Sequence, residues 1–382
     1  MAGQSDYVRR LPEASSDFAQ RPGMFERLNI DIPLVLLLFV LTGLGLAVLF
    51  SASGQELSAI IRQGRFVSVA YLVMVIVAQF SVQQYKRWAP WLYILGIAFL
   101  VAVLLVGTGA KGAQRWLSIG GFRFQPSELM KLLVPLAVSW YLALRIIPPT
   151  VKSVIVCLAI ISLPMFLVLK QPDLGTALLI ATAGLFVLFL AGISWRYILG
   201  AIIFLLVAAY PIWQYLLRDY QKQRILTLLD PERDKLGAGW NIIQSKTAIG
   251  SGGWDGKGWL NGTQSQLDFL PESHTDFIIA VLAEEFGLQG VLLLLLVYLL
   301  IIFRGFWISL HAQDSFGRLA AGSITLTFFV YVFVNMGMVS GLLPIVGIPL
   351  PLVSAGGTSI VTLLAGFGIL MSISTEKRLI GQ

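Results

Sequence analysis

The stretch DFIIAVLAEEFGLQGVLLLLLVYLLIIF, residues 276–303, begins with an aspartate and ends in a run without any charged side chain. Apolar segments of roughly 17 to 25 residues are long enough to cross the hydrocarbon layer of a membrane as helices. Asp276 therefore stands where the chain enters an apolar phase. What this carboxylate can meet depends on the side of the membrane that it faces, so the topology has to be established first.

The composition indicates a polytopic membrane protein. The 382 residues are 57% hydrophobic and 12% charged, with a mean hydropathy of +0.82, far from the usage of soluble domains. We predict an all-α fold with about ten transmembrane helices, at about 31–51, 66–81, 90–107, 128–147, 152–169, 174–193, 196–217, 276–303, 318–340 and 353–374. Residues 1–30 then form a tail, residues 31–382 the transmembrane domain, and residues 218–275 its large loop.

Several other classes are disfavoured. The first apolar run is too long for a cleavable signal peptide and follows about 30 polar residues. A single cysteine, Cys157, excludes an intramolecular disulfide. Two histidines, His274 and His311, are too few and too far apart for a histidine-based metal site. The net charge of +7 is interpreted as a signal of membrane orientation and not of nucleic-acid binding.

The distribution of Lys and Arg predicts the orientation. If the N-terminal tail is cytoplasmic, the segments assigned to the inside carry more Lys and Arg than the short outer loops, as the positive-inside rule requires. Both termini are then cytoplasmic, and the loop 218–275 is outside. The short outer loops still contain Arg62, Arg65, Lys111, Arg115, Arg123 and Lys170. These cations fit either contact with lipid head groups or an anionic substrate on the outer face.

Four helix starts share the outer face in this topology. The even-numbered spans run from outside to inside, so their unpaired amides and positive dipole ends point outward. They begin FQPSELMK with Glu128 and Lys131, KQPDLGT with Asp173, PESHTDF with Asp276, and PLPLVSAGGTS with Gly356 and Gly357. Each acidic residue alone fits an ordinary partner of a helix dipole, and the glycines fit a loop end. Together they predict a functional site, because ionisable groups at membrane depth are costly and tend to line internal cavities.

The loop 218–275 has features of an ordered lid. NIIQSKTAIG predicts a short amphipathic helix that ends at Gly250. GSGGWDGKGW is typical of an irregular loop and is only a weak indication of a phosphate cradle. Trp240, Trp254 and Trp259 argue against disorder, so we expect the loop to pack on the outer mouth of the bundle.

Several motifs resemble those of the SEDS family (shape, elongation, division and sporulation), and of its elongation branch in particular. They are KGAQRWL, FQPSE, QPDLGT, GAGWNIIQSKTAIGSGG, GTQSQLDFLPESHTDFI, AEEFG and NMGMVSGLLPIVGIPLPLVSAGG. The resemblance runs from about residue 28 to the C-terminus. One departure is Ala355, where the family usually has tyrosine before the double glycine, and this puts the role of that turn in doubt.

The resemblance implies a peptidoglycan glycosyltransferase. Such an enzyme polymerises lipid II on the outer face of the bacterial cytoplasmic (inner) membrane during cell elongation and works with a class B penicillin-binding protein, a transpeptidase. The family's essential aspartate corresponds to Asp276. No nucleic acid is implied, and membrane lipids surround the protein.

The expected chemistry needs one base and a positively charged site. A sugar 4-hydroxyl attacks the anomeric carbon of a lipid-linked sugar, and Asp276 is the predicted base. The leaving undecaprenyl pyrophosphate needs no proton if its charge is neutralised, so no second carboxylic acid is required. An α-linked donor and a β-linked product predict a single inverting displacement. Candidates for binding or positioning the pyrophosphate are Lys111, Arg115, Lys131, Arg218, Lys222 and Arg224, the carboxylates Glu128 and Asp173, and the glycines Gly356 and Gly357.

Two arrangements of the charged groups remain open. Glu128, Asp173 and Asp276 could together hold Mg²⁺ or Mn²⁺, which prefer oxygen ligands. Alternatively, Lys131 neutralises the pyrophosphate, or does no more than pair with Glu128. Glu284 and Glu285 lie on nearly the opposite face of a regular helix from Asp276, and we expect one of them to hold the helix against its neighbours.

Two other functions were weighed against the enzyme. A lipid II flippase would use the same substrate but needs polar groups along a path across the membrane, whereas the charges here cluster at one side. A scaffold for a partner transpeptidase would leave Asp276, Glu128 and Asp173 without a reason for their positions.

Overall fold

The computed structural model describes residues 29–110, 113–119, 122–234, 237–266 and 272–376. Within these residues, each of the ten predicted spans corresponds to a helix. The ten are α1 Ile32–Ala52, α2 Leu57–Ala78, α3 Val82–Val106, α4 Pro126–Ala143, α5 Val151–Lys170, α6 Leu174–Leu190, α7 Trp195–Pro211, α11 Ile278–His311, α12 Ser315–Val339 and α13 Thr358–Thr375. All but α4 and the shorter α6 are long and apolar enough to cross a membrane. The predicted multi-pass architecture is confirmed.

Three predicted helix starts are wrong because they followed hydropathy alone. α3 begins at Val82 and not at residue 90, so the polar residues 83–87 lie within the helix. α2 begins at Leu57 and not at residue 66, so Arg62 and Arg65 lie within the helix and not in a loop. Arginine lowers the hydropathy of a segment, yet its aliphatic stem can lie along an apolar surface while the guanidinium reaches the membrane edge. α13 begins at Thr358 and not at residue 353, because residues 353–357, which include the double glycine, form turns and irregular chain before the helix.

The predicted helical architecture is confirmed, and one small sheet accompanies it. Strands β1 Thr108–Ala110, β2 Ala113–Ile119 and β3 Phe122–Phe124 form a small antiparallel sheet between α3 and α4. In β2 the side chain of Leu117 is buried and those of Trp116 and Ser118 are exposed, the alternation that a half-buried strand requires. The sheet carries Arg115 and Arg123 to one end of the bundle.

The described residues of the loop between α7 and α11 form helices and turns. A π-helical turn, Ile212–Leu216, extends α7, and it is followed by α8 Asp219–Leu229, a 3₁₀ turn Pro231–Asp234, α9 Ala238–Gly252 and α10 Thr263–Gln266. α9 is the predicted amphipathic helix and ends two residues later than expected. It packs against α11. We call the end of the bundle that carries this loop and the sheet the loop face.

Two large clusters of buried apolar side chains, with a small third one around Tyr331, form the core of the described residues. The larger is formed by α1, α2 and α11–α13, and the smaller by α3–α6. Glycines let the backbones approach closely: a Cβ atom at Gly45 would lie 2.7 Å from the Leu352 carbonyl oxygen, and one at Gly368 would lie 2.5 Å from that of Met74. No residue of α7 is buried, so α7 contributes nothing to either cluster.

α11 is broken at Gly287, and the loop fills the break. Gly287 has φ 63° and ψ −161°, which interrupts the helical hydrogen bonds. The amides of Lys257 and Gly258 donate to the carbonyls of Glu284 and Glu285, at 3.0 and 2.9 Å. The Leu288 amide in turn donates to the Gly253 carbonyl at 3.0 Å. The break therefore leaves few backbone groups unpaired, as burial demands, and fixes the loop on the helix.

The opposite end of the bundle is tied by an ion pair. Asp31 caps α1 through the Leu34 amide, accepts a hydrogen bond from Ser374, and pairs with Arg304 at 2.7 Å. Arg304 lies in α11, which runs past its predicted end at residue 303 as far as His311. This contact joins the first, eighth and tenth membrane helices where the chain ends lie, and we call this end the terminal face.

Candidate active site

The segment 273–276, just before α11, is held by hydrogen bonds from several distant parts of the chain. The His274 carbonyl accepts from the Ala355 amide at 2.9 Å, and the Thr275 carbonyl accepts from the Ser354 hydroxyl at 2.5 Å. The Asp276 carbonyl accepts from the Asn335 side-chain amide at 2.8 Å. Three successive carbonyls are thus fixed, so the backbone that carries the Asp276 side chain has little freedom.

Asp276 lies at the loop face, as predicted, but two residues before the first helical residue, Ile278. Its carboxylate faces Gly347, where an added Cβ atom would be 3.6 Å from Oδ2. Burial of the carboxyl group and the negative charge of Glu272 raise the pKa of Asp276 to about 6, and the positive charge of Arg224 opposes this rise. A carboxylate with such a pKa is ionised at neutral pH and is a stronger base than an exposed aspartate.

Glu128 and Lys131 form a buried ion pair in α4. Lys131 Nζ lies 2.6 Å from Glu128 Oε1 and also donates to the hydroxyl of Tyr331. Glu128 Oε2 is buried without a hydrogen-bond partner in the described part of the chain. A cavity of about 20 Å³ adjoins both residues, which is enough for one water molecule that would satisfy this oxygen. A pyrophosphate does not fit in such a cavity, so the arrangement matches the simple pairing of Lys131 with Glu128.

Asp173 and Arg115 form a second charged group. Asp173 caps α6 by accepting from the Thr176 amide, and Arg115 Nη1 lies 3.6 Å from Asp173 Oδ2. Arg115 also donates to the carbonyls of Gln171 and Pro172, at 3.4 and 2.6 Å. Asp173 therefore has the ordinary role of a helix cap, and Arg115 fastens the sheet to α6.

The three carboxylates predicted to share a metal are not gathered here. Among the described residues, no three His, Cys, Asp or Glu side chains are grouped so that they could hold one ion. Glu128 pairs with Lys131, Asp173 with Arg115, and Asp276 lies apart from both. The residues as arranged do not fit Mg²⁺ or Mn²⁺.

The other predicted site residues divide between two places. Arg224, which is exposed on α8, is close enough to Asp276 to influence its pKa. Arg218 is exposed and Lys222 half-buried near the same helix, while Lys111 lies outside the described residues. Gly356 donates its amide to Gln63 at 3.3 Å, and a Cβ at Gly357 would touch Phe66 at 3.1 Å. The double glycine thus packs against α2.

Two cavities meet at Arg62. The sequence indicated this residue only as one of the cations in the short outer loops. One, of about 540 Å³, has almost entirely apolar walls between α2, α4 and α13, with Arg62, Arg65 and Arg123 among the residues that line it. The other, of about 370 Å³, is mostly polar and is lined by Glu56, Gln63, Ser273 and His274 together with Arg62. The apolar cavity suits a lipid chain, and the arginines suit an anion. The polar cavity suits the hydroxyl groups of a sugar.

Both glutamates of AEEFG hold the loop, where we expected only one of them to act as an anchor. Glu284 is fully buried and accepts from Lys257 Nζ at 2.7 Å, the Thr263 amide at 2.8 Å and the Gln264 amide at 3.0 Å. Glu285 accepts from the hydroxyl of Ser51 in α1 and from the backbone amides of Leu260 and Gly262 in the loop. Gly252 and Gly256 bring the loop against the backbone of Ala283 and Glu285 in α11, so these two glycines serve the contact with the helix.

Comparison with known proteins gives consistent matches. A model of the FtsW/RodA/SpoVE family, described as cell cycle proteins, matches residues 32–379. The chain is 51% identical to the peptidoglycan glycosyltransferase MrdB of Escherichia coli K12, covering 96% of this chain and 99% of that one. It is 35% identical to a probable peptidoglycan glycosyltransferase FtsW of Trichlorobacter lovleyi, covering 93% and 96%.

Solved structures agree with these matches. A chain of a peptidoglycan synthase complex that coordinates polymerisation and crosslinking superposes with a TM-score of 0.81 at 31% identity, covering 91% of this chain and 98% of that one. The rod shape determining protein RodA of Thermus thermophilus superposes with a TM-score of 0.70 at 28% identity, covering 91% and 97%.

Proposed function

Because the chain belongs to the FtsW/RodA/SpoVE family of cell cycle proteins, we propose that its loop face polymerises lipid II with Asp276 as the general base. The protein is a peptidoglycan glycosyltransferase, as is its 51% identical relative from Escherichia coli. The observation that supports the assignment of the base is the position of Asp276: a partly buried carboxylate with a raised pKa, on a backbone fixed at three successive carbonyls.

The reaction follows from the charges at the loop face. Asp276 takes the proton from the sugar 4-hydroxyl of the acceptor as that oxygen attacks the anomeric carbon of the donor. The carbon–oxygen bond to pyrophosphate breaks, and the pyrophosphate leaves with its electron pair. Since the attack comes from the face opposite the leaving group, the configuration is inverted. No glycosyl-enzyme intermediate forms, and no second carboxylic acid is needed.

The cavities around Arg62 support a lipid-linked substrate. We place the polyprenyl chain in the apolar cavity, the pyrophosphate at Arg62, Arg65 and Arg123, and the sugars in the polar cavity beside His274. Arginine suits this role because its planar guanidinium can donate two parallel hydrogen bonds to phosphate oxygens. In this arrangement the pyrophosphate charge is neutralised at α2 and the sheet, and Lys131 remains inside the bundle.

The orientation belongs to the same proposal. We propose that the protein lies in the bacterial inner membrane with the loop face outside and both termini cytoplasmic. The support is the excess of Lys and Arg in the sequence segments assigned to the inside over those in the short outer loops.

The decisive assay separates a polymerase from a flippase. The purified protein is incubated in detergent with fluorescent lipid II and a class B penicillin-binding protein whose transpeptidase is blocked by a β-lactam. A polymerase yields a ladder of glycan strands on a gel although no membrane separates two sides. Absence of a ladder, together with transfer of lipid II across vesicles that contain the protein, would favour the flippase.

We propose the class B penicillin-binding protein as the partner, bound through its membrane helix. An apolar groove of about 610 Å³ lies between α11 and α12, lined among others by Val291, Leu295, Phe329 and Phe333, and a relative of this chain forms part of a peptidoglycan synthase complex. Leu295→Trp should reduce co-purification of the partner. Leu292→Trp, at an exposed position of α11 outside the groove, is the control; equal recovery of the partner by both variants would contradict this docking site.

A further inference from the structure

Asn335 lies in α12 and is fully buried. Its side-chain amide donates one hydrogen bond to the Asp276 carbonyl at 2.8 Å and another to the Ile348 carbonyl at 2.7 Å. Its own oxygen, Oδ1, has no hydrogen-bond partner among the described residues. A buried amide that donates twice while its acceptor is unused is unusual, because each unsatisfied buried polar atom costs free energy. The two hydrogen bonds that Asn335 donates therefore account for its buried position.

The two carbonyls belong to segments that meet at the Asp276 carboxylate. One is the carbonyl of Asp276 itself. The other, of Ile348, follows Gly347, the residue that the Asp276 side chain faces. Asn335 therefore holds together the backbone that carries the carboxylate and the backbone that packs on it.

We propose that Asn335 is a positioning residue that sets the direction and the burial of the Asp276 carboxylate, an inference that rests on the proposed role of Asp276 as the base. Ser354 assists at the preceding residue, since its hydroxyl donates to the Thr275 carbonyl and accepts from the Leu350 amide. Asn335 does not touch the substrate. A displacement of about 1 Å in such a base can lower the rate by about 10²-fold.

The test is Asn335→Asp, which keeps the shape and removes the two donors. We expect kcat for glycan polymerisation to fall by about 10-fold or more with KM within about threefold, because the geometry of the base is lost and the substrate cavities are not. Thr325→Val is the matched control: Thr325 is buried in the same helix and donates only within it, to the Ala321 carbonyl.

A double-mutant cycle separates positioning from general stability. If Asn335 acts through Asp276, adding Asn335→Asp to Asp276→Asn should cause no further loss, because the two residues act as a unit. The inference would be overturned if the two substitutions lowered the rate independently, so that their fold-losses multiplied in the double variant. It would also be overturned if Asn335→Asp were as active as Thr325→Val. If Asn335→Asp does not fold, Ser354→Ala is measured in the same cycle with the same expected and contradicting results. Full activity of Asp276→Asn would instead reject the proposed base.

Discussion

The chemistry of a single carboxylate depends on what surrounds it. The sequence predicts Asp276 as a candidate because it begins an apolar run, yet nothing in the residue order shows that Ser354, Ala355 and Asn335 would fix its backbone. Those contacts join positions far apart in the chain and arise only from helix packing. The same limitation explains why the metal site was predicted from Glu128 and Asp173. The sequence correctly placed both residues at helix starts, but it did not show that they pair with Lys131 and Arg115 and so form no shared metal site.

The pH dependence of the rate follows from the raised pKa of Asp276. The base must be ionised, and burial raises its pKa to about 6. We therefore expect kcat/KM to be nearly constant above about pH 7 and to fall about tenfold per pH unit well below pH 6. Polymerisation rates measured from pH 4.5 to 8 check this. A profile that stays flat down to pH 4.5 would show that no group with this pKa takes the proton.

The buried pair in α4 predicts how Lys131 variants behave. Lys131→Met leaves Glu128 as an unpaired buried charge, at a cost of about 3 to 5 kcal/mol, so activity should be lost together with thermal stability. The double variant Lys131→Met with Glu128→Gln removes both charges and should recover stability. If Lys131 only pairs with Glu128, activity recovers as well. A stable but inactive double variant would instead show that Lys131 neutralises the pyrophosphate.

Chelation provides the matching test of the metal hypothesis. Because the three carboxylates are not grouped, we expect wild-type polymerisation to persist in excess EDTA. Complete loss of glycan product, restored by Mg²⁺ or Mn²⁺, would show that a cation gathers these residues during turnover.

At the scale of elements, the periodicity of apolar residues predicted ten helices but not the break within α11. Gly287 reads as one more residue of a long apolar run, and GSGGWDGKG reads as an irregular loop. The connection between them depends on glycines that allow backbone to approach backbone: a Cβ at Gly256 would lie 2.2 Å from the Glu285 carbonyl oxygen. The loop and the part of α11 that precedes Gly287 are therefore one structural unit.

Glycine substitutions test this unit. Gly256→Ala introduces both a clash with Glu285 and a side chain at φ 78°, so we expect a loss of stability of roughly 2 kcal/mol or more and reduced polymerisation. Gly250→Ala in α9 is the control, because its Cβ would meet no atom within 4 Å, and it should be neutral or slightly stabilising. Thermal unfolding in detergent distinguishes them; equal melting temperatures would mean that the loop does not depend on this contact.

The whole molecule places its charged groups asymmetrically. The loop face carries Asp276, the arginines around Arg62 and the ordered loop, and the terminal face is closed by the ion pair of Asp31 with Arg304. Composition predicted a membrane protein, and the charged residues at four helix starts predicted one functional side. The cavities could not be predicted, because they depend on the angles at which α2, α4 and α13 pack.

Cysteine labelling tests the orientation. Thr247 is exposed at the loop face and Ser315 at the terminal face. In a variant with Cys157→Ser, Thr247→Cys should react with a membrane-impermeant thiol reagent in intact spheroplasts, whereas Ser315→Cys should react only after lysis. The reverse pattern would place the loop face in the cytoplasm and remove lipid II on the outer surface as the substrate of this site.

The most direct test of the account is the polymerisation rate of Asp276→Asn, purified with the proposed transpeptidase partner and supplied with fluorescent lipid II. Asparagine keeps the shape of the side chain and removes its basicity. We predict a rate at least about 10²-fold below that of the wild type, with an unchanged melting temperature. A rate within a few fold of the wild type, in a variant that folds normally, would contradict the assignment of Asp276 as the base.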